Sequence, residues 1–332
     1  MSTKQWTANE INEAVRAYWM SCLIIAAAEL DLFGRMGPTP FTAGDAATKL
    51  ATDLRGITTL LDALAAVGIL DKQVNRYTVP ASVARVLTSD GPESQLAMMQ
   101  HQATCLRKWS HLAEIVKSGH PARRQAGILG DAGEYHAFIE AMDNIARTQA
   151  GKFVAELPPL RFQHLLDVGG GSGSYTLAFL QAYPAAKATL FDLPKVIPQA
   201  RERLTHAGLA DRVTLVPGDF YTDPLPHGAD LVLISAIVHQ NSREQNRALF
   251  ARCHQALAPG GQILIRDFLM NESRTTPVAG ALFAINMLVA TDHGGTFTVD
   301  ELSADLAAAG FTEPHTLRRD DTMFSVLAAR KP

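Results

Sequence analysis

The chain has 332 residues, of which 47% are hydrophobic and 19% are charged, with 24 Gly, 17 Pro and 3 Cys. This composition excludes a disordered chain, a collagen-like repeat and a disulfide scaffold, and the length is enough for about two domains. The 30 Lys and Arg and the 33 Asp and Glu give a formal net charge of −3, which argues against nucleic acid or acidic lipid as a bulk partner.

The start of the chain lacks a basic end followed by an apolar core, and the apolar run at 22–28 stops at Glu29, well short of a membrane span. We therefore expect a cytoplasmic protein with no membrane partner. Cys22, Cys105 and Cys253 form no CxxC pair and have no nearby histidine spacing. The cysteines thus predict reduced thiols rather than a zinc site or disulfides.

Residues 1–100 predict a helical domain with one hairpin. A helix over 14–30 carries Trp19 and Met20 and is too apolar for a lone surface helix, which indicates a subunit contact. The remaining pattern predicts these elements: an N-cap at Thr42, helices at 43–50 and 54–67, a closing Gly68, and two strands within 69–79 joined by a turn at Asn75. Two helices followed by a hairpin are the outline of a winged helix.

A winged helix suggests DNA binding, so the charge of this region matters. The helix that would read the groove carries Arg55 as its cation, with Asp53 and Asp62 beside it, and residues 1–100 contain 8 Lys or Arg against 10 Asp or Glu. Groove binding needs the opposite balance. Dimerisation or the covering of a substrate is therefore the favoured role.

Residues 156–332 predict an open α/β domain, joined to the first by a helical linker at 101–155. Short β-rich apolar runs alternate there with amphipathic stretches at the following positions: strands at 164–168, 188–191, 213–216, 230–235, 262–266 and 322–328, and helices from Ser174, at 195–206, at 242–257 and at 299–309. This alternation predicts a mostly parallel sheet covered by helices on both faces.

A glycine-rich loop, DVGGGSG at 167–173, lies directly after the first of these strands and before a helix. Glycines let a ligand approach the backbone closely, and the free N–H groups at a helix start attract negative charge, so a nucleotide-type cofactor is expected. The spacing is G-x-G-x-G, and Ser174 stands where a dinucleotide fingerprint has its third glycine. With no diphosphate to cradle, the loop suits the amino-acid portion of S-adenosylmethionine.

Two carboxylates at strand ends fit the same ligand. Asp192 ends the second strand, where an acidic residue can accept both ribose hydroxyls. Asp219 ends the third strand, placed to accept from an adenine amino group while Phe220 lies along the ring. Because parallel sheets bind ligands at the carboxyl ends of their strands, the loop and both acidic residues predict one site.

Together these residues resemble the S-adenosylmethionine-dependent O-methyltransferases of the caffeate, hydroxyindole and bacterial natural-product type. The resemblance covers nearly the whole chain through six segments: AELDLFGRM, LLDALAAVGIL, DVGGGSG, FDLP, DRVTLVPGDF and LAPGG. It implies a Rossmann-like methyltransferase domain whose open, doubly wound sheet is mostly parallel with an antiparallel last strand. It also implies a winged-helix-like dimerisation domain, a homodimer, and S-adenosylhomocysteine as the cofactor product.

The resemblance also implies contacts for both ligands. Family positions that contact the cofactor match these residues: Gly169, Gly171, Asp192, Asp219, Phe220 and Ser235. Family positions that line the acceptor pocket match a second set: Phe138, Met142, Phe283, Asn286 and Met287. An apolar wall of this kind favours a flat acceptor, so we expect methyl transfer to oxygen of a small aromatic or enol-type metabolite.

His239 matches the family's catalytic histidine, and an imidazole that titrates near neutrality can remove the proton of a hydroxyl acceptor. Asp267 matches the acidic residue that orients this histidine in the family. The surroundings differ, because Gln240 and Asn241 replace the usual acidic residue and Trp. A second family glutamate is replaced by Thr296.

These departures leave N-methylation, C-methylation and a non-methylating reaction with the same cofactor open. A cofactor-sensing regulator that binds DNA and a nicotinamide oxidoreductase also remain, disfavoured by the charge count and the missing third glycine. No metal is expected, because His239 and His254 are too far apart for an i, i+4 ligand pair. His101, His111 and His120 lie in the linker with no partner pattern, so we expect them to be solvated.

Overall fold

The first part of the chain is mainly helical, and the rest alternates strands with helices. The computed structural model describes residues 4–323 and 325–332. Contacts between residues divide the chain into two units, one of Met1–Arg107 with Arg124–Met142 and one of Lys108–Arg123 with Asp143–Pro332. Throughout the described ranges, every helix is too short or too polar to cross a membrane.

Short helices and a small sheet form the first unit. The elements from residue 8 to 109 are these: α1 Ala8–Arg16, α2 Tyr18–Glu29, α3 Leu32–Met36, β1 Phe41–Thr42, α4 Ala43–Leu50, α5 Leu54–Ala66, β2 Asp71–Gln73, β3 Arg76–Thr78, α6 Ala81–Leu87 and α7 Leu96–Trp109. Strand β3 pairs antiparallel with both β1 and β2. The predicted cap at Thr42 is confirmed, since its hydroxyl accepts the Asp45 N–H and the Asp45 carboxylate accepts the Thr42 N–H.

One expectation for this region is wrong, and another is confirmed. The stretch 14–30 is not one helix, because α1 begins earlier, at a capping box of Thr7 and Glu10, and ends before α2 begins. The predicted hairpin is confirmed, since β2 and β3 pair antiparallel around a turn of Val74 and Asn75, in which Val74 has the positive φ, at 55°. A two-residue hairpin turn needs a left-handed residue at its first position, and the Val74 side chain points into solvent there.

The second unit is built on a twisted sheet. The elements from residue 112 onward are these: α8 Leu112–Ser118, α9 Gly130–Glu156, β4 His164–Val168, α10 Ser174–Ala182, β5 Lys187–Asp192, α11 Ile197–His206, β6 Val213–Pro217, β7 Ala229–Ser235, α12 Arg243–Ala256, β8 Leu257–Asp267, β9 Leu269–Met270, α13 Val278–Ala290, β10 Phe297–Thr298, α14 Val299–Ala308, β11 Thr312–Arg318 and β12 Ser325–Arg330. Short 3₁₀ turns lie at Ala210–Arg212 and Val238–Gln240. Helix α9 belongs to the first unit up to Met142 and to the second from Asp143.

In the described part of the chain, seven strands form one sheet in the order β11-β12-β8-β7-β4-β5-β6. Strands β6, β5, β4, β7 and β8 are parallel, and β12 is antiparallel to both β8 and β11. The predicted mostly parallel sheet with an antiparallel last strand is confirmed.

Alternate side chains of the central strands face opposite sides of this sheet. Leu233 of β7 lies in one buried cluster with Phe179 of α10, whereas its neighbour Ile234 lies in another with Phe250 of α12. Each fully buried side chain of this size contributes about 1.5–3 kcal/mol. The two clusters fix the sheet between two helical layers, so that the carboxyl ends of its strands form a stable edge.

The strands near the C-terminus differ most from expectation. Strand β8 begins at Leu257 instead of residue 262, because Leu257 already pairs with Ala229 ahead of an irregularity in the register. Strand β12 covers 325–330 instead of 322–328, and residue 324 of that prediction lies outside the described residues. Strand β11 was not expected, and it forms by pairing with β12.

Candidate active site

The carboxyl ends of β4, β5, β7 and β8 lie side by side at one edge of the sheet. Parallel register aligns Val168 of β4 with Phe191 of β5 and with Ile234 of β7. The glycine loop follows β4, and Asp192, Ser235 and Asp267 are the last residues of β5, β7 and β8. The sheet therefore gathers residues that are up to 100 positions apart in the sequence.

Gly169 and Gly171 shape the loop after β4 in different ways. Both have a positive φ, 68° and 56°, which side chains rarely tolerate. The Gly169 N–H donates to the Phe191 carbonyl at 2.8 Å, and a Cβ on Gly169 would lie 2.2 Å from Ile237 Cδ1. A Cβ on Gly171 would meet nothing within 4 Å. The loop is thus packed tightly at Gly169 and open at Gly171.

Two carboxyl groups hold the glycine loop and the helix that follows it. Asp192 accepts the N–H of Gly171 at 2.7 Å and that of Leu193 at 2.6 Å, and burial raises the pKa of Asp192. Asp167 is almost completely buried and accepts the Thr176 hydroxyl at 2.6 Å. Burial raises the pKa of Asp167 to about 6. Each Asp192 oxygen still has lone-pair capacity for a ligand hydroxyl.

Asp219 and Phe220 follow strand β6 and lie beside the loop. The Tyr221 N–H donates to Asp219 Oδ1 at 2.9 Å, which fixes the carboxylate. An edge atom of the Phe220 ring lies 3.6 Å from the place that a Cβ on Gly169 would take. The acidic residue, an aromatic ring and the glycine loop are therefore neighbours.

Ser235, at the end of β7, is bound to a buried cation. Arg266 Nη1 donates to the Ser235 hydroxyl at 3.1 Å, and the guanidinium lies 4.8 Å from the centre of the Tyr175 ring. Burial lowers the pKa of Arg266. A positive charge beneath these strand ends was not expected from the sequence.

His239 and Asp267 meet as predicted. His239 Nδ1 lies 3.0 Å from both carboxylate oxygens of Asp267, and the His239 backbone N–H points to Oδ2 at 3.4 Å. The carboxylate also accepts the Phe268 N–H at 2.8 Å. Within the described residues, Nε2 of His239 has no hydrogen-bond partner, and the side chain is 13% exposed. The imidazole is thus fixed through one nitrogen and accessible at the other.

An aromatic wall lies next to this imidazole. The Phe283 ring of α13 meets the His239 ring edge-on at 5.0 Å and lies 4.6 Å from Phe268. Asn286, one turn later on α13, accepts the Trp109 indole N–H at 3.0 Å. Met287 shares this helix and is buried. Helix α13 therefore brings Phe283 to His239 and fixes the amide of Asn286.

The segment between α13 and β10 holds the main chain of His239. The Gly295 N–H donates to the His239 carbonyl at 2.8 Å, and a Cβ on Gly294 would lie 2.6 Å from that same oxygen. Thr296 is buried, and its carbonyl accepts from Arg274 at 3.1 Å.

A family model described as the O-methyltransferase domain matches residues 109–312. The chain belongs to the O-methyltransferase family. It is 31% identical to the tetracenomycin polyketide synthesis 8-O-methyl transferase TcmO of Streptomyces glaucescens, over 92% of each chain. It is 30% identical to the 3-hydroxy-5-methyl-1-naphthoate 3-O-methyltransferase of Streptomyces sahachiroi, over 93% of this chain and 90% of that one.

Among solved structures, human N-acetylserotonin methyltransferase in complex with S-adenosylmethionine aligns with a TM-score of 0.80 and 26% identity. The alignment covers 100% of this chain and 99% of the human one. The protein is therefore an S-adenosylmethionine-dependent O-methyltransferase, and the DNA-binding, nicotinamide, N-methyl and C-methyl alternatives are not favoured.

The loop of this O-methyltransferase fits the cofactor in two respects. Open space at Gly171 lets a ligand reach the backbone, whereas a diphosphate-type third glycine is absent at Ser174. The carboxylates of Asp192 and Asp219 lie at the ends of adjacent parallel strands, β5 and β6, where they can accept from hydroxyl and amino groups.

Sequence reasoning missed two residues that anchor the loop of the O-methyltransferase. The Ser172 hydroxyl donates to Asp143 of α9, and Arg203 of α11 donates both to the Ser174 hydroxyl and to Asp143, the latter at 2.5 Å. Neither helix carries a motif that marks these positions.

Phe138 and Met142 lie on α9 in the first unit, and both are partly exposed. The Phe138 ring lies 5.1 Å from the His101 ring, and His101 Nε2 lies 3.5 Å from Cys105 Sγ. The prediction that His101 is solvated is therefore wrong, because its ring contacts the Phe138 ring and the residue is partly buried.

Proposed function

We propose that this O-methyltransferase methylates a hydroxyl of a small, flat aromatic or enol-type metabolite, with His239 as general base. The proposal is carried by one observation, the pairing of His239 Nδ1 with both oxygens of a buried Asp267 while Nε2 stays accessible. Because a carboxylate accepts, Nδ1 carries the proton and Nε2 keeps its lone pair.

The mechanism divides between positioning and proton removal. S-adenosylmethionine, when bound, supplies a methyl group on a positively charged sulfur. Nε2 of His239 takes the proton of the acceptor hydroxyl, which makes the oxygen a stronger nucleophile. Asp267 holds the imidazole in orientation and stabilises the imidazolium that results. The rings of Phe268 and Phe283 exclude water beside the imidazole.

For the cofactor we propose contacts at the glycine loop and the strand ends. The backbone around Gly169 and Gly171 receives the amino-acid end, and Asp192 accepts the ribose hydroxyls. Asp219 accepts from the adenine amino group while the Phe220 ring lies along the base. Ser235, held by the Arg266 guanidinium, completes the cofactor contacts.

For the acceptor we propose a largely apolar pocket. Its lining would include these residues of α13: Phe283, Asn286 and Met287. Aromatic hydroxyl compounds are named as acceptors of the naphthoate and N-acetylserotonin enzymes, which supports an aromatic acceptor here. The Trp109 indole N–H occupies the Asn286 oxygen, so the Asn286 NH₂ is the group that can meet an acceptor oxygen.

The test compares His239→Ala with wild-type protein on 3-hydroxy-5-methyl-1-naphthoate and N-acetylserotonin, with methylated product quantified by mass spectrometry. We expect kcat to fall by about 100-fold or more, while the Kd of S-adenosylhomocysteine in calorimetry changes by less than about threefold. His206→Ala, at an exposed histidine of α11, is the control. Unchanged turnover would contradict the base role and point to proximity alone.

If wild-type protein leaves both compounds unmodified, the same comparison uses an acceptor found differently. Incubation of a metabolite extract with isotopically labelled S-adenosylmethionine identifies products that carry the label. A labelled product whose methyl group sits on nitrogen or carbon would contradict the proposed acceptor atom. A labelled methyl ether would support it.

We further propose that the protein is a cytoplasmic homodimer. Residues 1–100 would form a winged-helix-like dimerisation domain, residues 101–155 a linker with pocket helices, and residues 156–332 the catalytic domain. Apolar side chains on and before α1 and α2 support this, since several are about half exposed or more: Trp6, Ile11, Val15, Tyr18, Trp19 and Met20. Sedimentation of Val15→Asp/Trp19→Glu should give a monomer, and an unchanged mass would contradict the assignment.

A further inference from the structure

A chain of polar side chains runs through the interior next to the base. The Tyr221 hydroxyl donates to Asn241 Oδ1 at 2.5 Å, and Asn241 Nδ2 donates to Asn246 Oδ1 at 2.9 Å. Asn246 Nδ2 then donates to the Val238 carbonyl at 3.1 Å. Asn241 and Asn246 are completely buried. A buried amide that loses a partner costs about 1–3 kcal/mol, so the three bonds are coupled.

One end of this chain holds the turn that carries His239. Val238 precedes the imidazole directly, and its carbonyl accepts from both the Asn246 side chain and the Asn241 N–H. The turn is a single 3₁₀ turn, Val238–Gln240, without the ladder of a longer helix. Side-chain hydrogen bonds therefore hold this turn in place, whereas a longer helix is held by its own backbone hydrogen bonds.

The other end reaches the strand end next to the glycine loop. The Tyr221 N–H is bound to Asp219 Oδ1, and the Tyr221 ring contacts the Phe220 ring with centroids 4.6 Å apart. A group bound at Asp219 therefore contacts a carboxylate that is hydrogen-bonded to Tyr221, the residue whose hydroxyl begins this chain of polar side chains. This connection uses Asn241, which stands where the family resemblance has a Trp after the histidine.

We propose that Tyr221, Asn241 and Asn246 are positioning residues that couple occupation of the Asp219 end to the placement of the His239 imidazole. The proposal rests on the proposed function, in which Asp219 contacts the cofactor and His239 is the base. The Tyr221 hydroxyl fixes the Asn241 amide, and that amide orients the Asn246 side chain for its bond to the Val238 carbonyl. Cofactor binding therefore prepares the base before the acceptor arrives.

The test uses Tyr221→Phe, which removes one hydroxyl from a ring that is 42% exposed and adds no atom to the interior. Tyr183→Phe is the matched control, because its hydroxyl also makes one hydrogen bond, accepting the Leu160 N–H at 3.1 Å, away from the base. Full-length protein with ¹⁵N-labelled histidine is titrated with S-adenosylhomocysteine, and the imidazole nitrogen resonances of His239 are followed.

We expect S-adenosylhomocysteine to shift the His239 resonances in wild-type and Tyr183→Phe protein. In Tyr221→Phe the shift should fall to about half or less, with the Kd of S-adenosylhomocysteine within about threefold of wild type. An equal shift in Tyr221→Phe, or no shift in wild-type protein that binds the compound, would overturn the proposal. Should Tyr221→Phe unfold, Asn246→Ser, which shortens the last link, replaces it with the same expectation.

This experiment separates the coupling from the base role. Loss of turnover in His239→Ala with an unchanged resonance shift in Tyr221→Phe would refute the coupling and leave the base role standing. A reduced shift in Tyr221→Phe with full turnover in His239→Ala would refute the base role and leave the coupling standing.

Discussion

Replacement of Gly169 by Ala tests the packing of the glycine loop. Its φ of 68° makes any side chain strained, at about 1–2 kcal/mol. The new Cβ would also lie 2.2 Å from Ile237 Cδ1, in a site where Ile237 is buried. Overpacking of this kind costs about 1–3 kcal/mol. We therefore expect Gly169→Ala to lower the free energy of unfolding by about 2–5 kcal/mol.

Gly171→Ala is the matched comparison. Its φ of 56° carries the same backbone strain, but its Cβ would meet nothing within 4 Å. We expect a loss of only about 1–2 kcal/mol in the free energy of unfolding. The new methyl group projects into the open part of the loop, so S-adenosylhomocysteine should bind more weakly. Comparison of the two variants thus distinguishes an effect on protein stability from an effect on ligand access.

A double substitution isolates the clash. Ile237→Val removes the atom that the new Cβ would meet and costs about 0.5–1.5 kcal/mol alone. In Gly169→Ala/Ile237→Val the new Cβ occupies the space that the Cδ1 atom leaves. The loss of unfolding free energy in the double variant should therefore be about 1–2 kcal/mol smaller than the sum of the two single losses. Urea denaturation followed by circular dichroism measures the wild-type protein and all four variants. A Gly169→Ala variant as stable as Gly171→Ala, or losses that simply add, would refute the reasoning.

Three further predictions concern the carboxylates and their partners. Burial holds the pKa of Asp167 at about 6, so between pH 4 and 6 the folded chain keeps a proton that the unfolded chain releases. Stability should therefore fall as pH rises, by about 3 kcal/mol relative to Asp167→Asn. Parallel curves of unfolding free energy against pH for the two proteins would exclude this. Asp267→Asn should lower kcat by about 10²–10⁴-fold at unchanged S-adenosylhomocysteine affinity, checked by calorimetry beside initial rates; retained turnover would show that His239 needs no carboxylate. Arg203→Met should weaken S-adenosylhomocysteine binding about tenfold, because Ser174 and Asp143 lose their shared donor; an unaltered Kd would make Arg203 irrelevant to the loop.

Local patterns predict most of the fold. The bounds of β4 and the start of α10 agree with the prediction to the residue, because an apolar run, a glycine loop and a helical run follow each other without interruption. Strand β11 is absent from the prediction, because TEPHTLR has no apolar alternation and five of its residues are exposed. It forms by pairing with β12, and a sequence-based pattern cannot detect such a pairing.

Local sequence patterns likewise predict some residues of the candidate site and miss others. The glycine loop, Asp192 and Asp219 are visible because each follows a strand in the sequence. The anchors Asp143 and Arg203 are separated by 60 residues and come together only through packing of α9 and α11. Local sequence signals report where a strand ends, but they carry no information on which distant side chain closes a hydrogen bond.

Gly294 shows how far such a site extends beyond the groups that react. Its α carbon has no functional chemistry, yet a methyl group there would press on the carbonyl of His239 and displace the peptide that carries the imidazole. In a mutational scan scored by turnover alone, this position should therefore rank with the base itself. Only a parallel measurement of protein abundance and ligand affinity would reveal that the loss arises from a steric limit on the main chain.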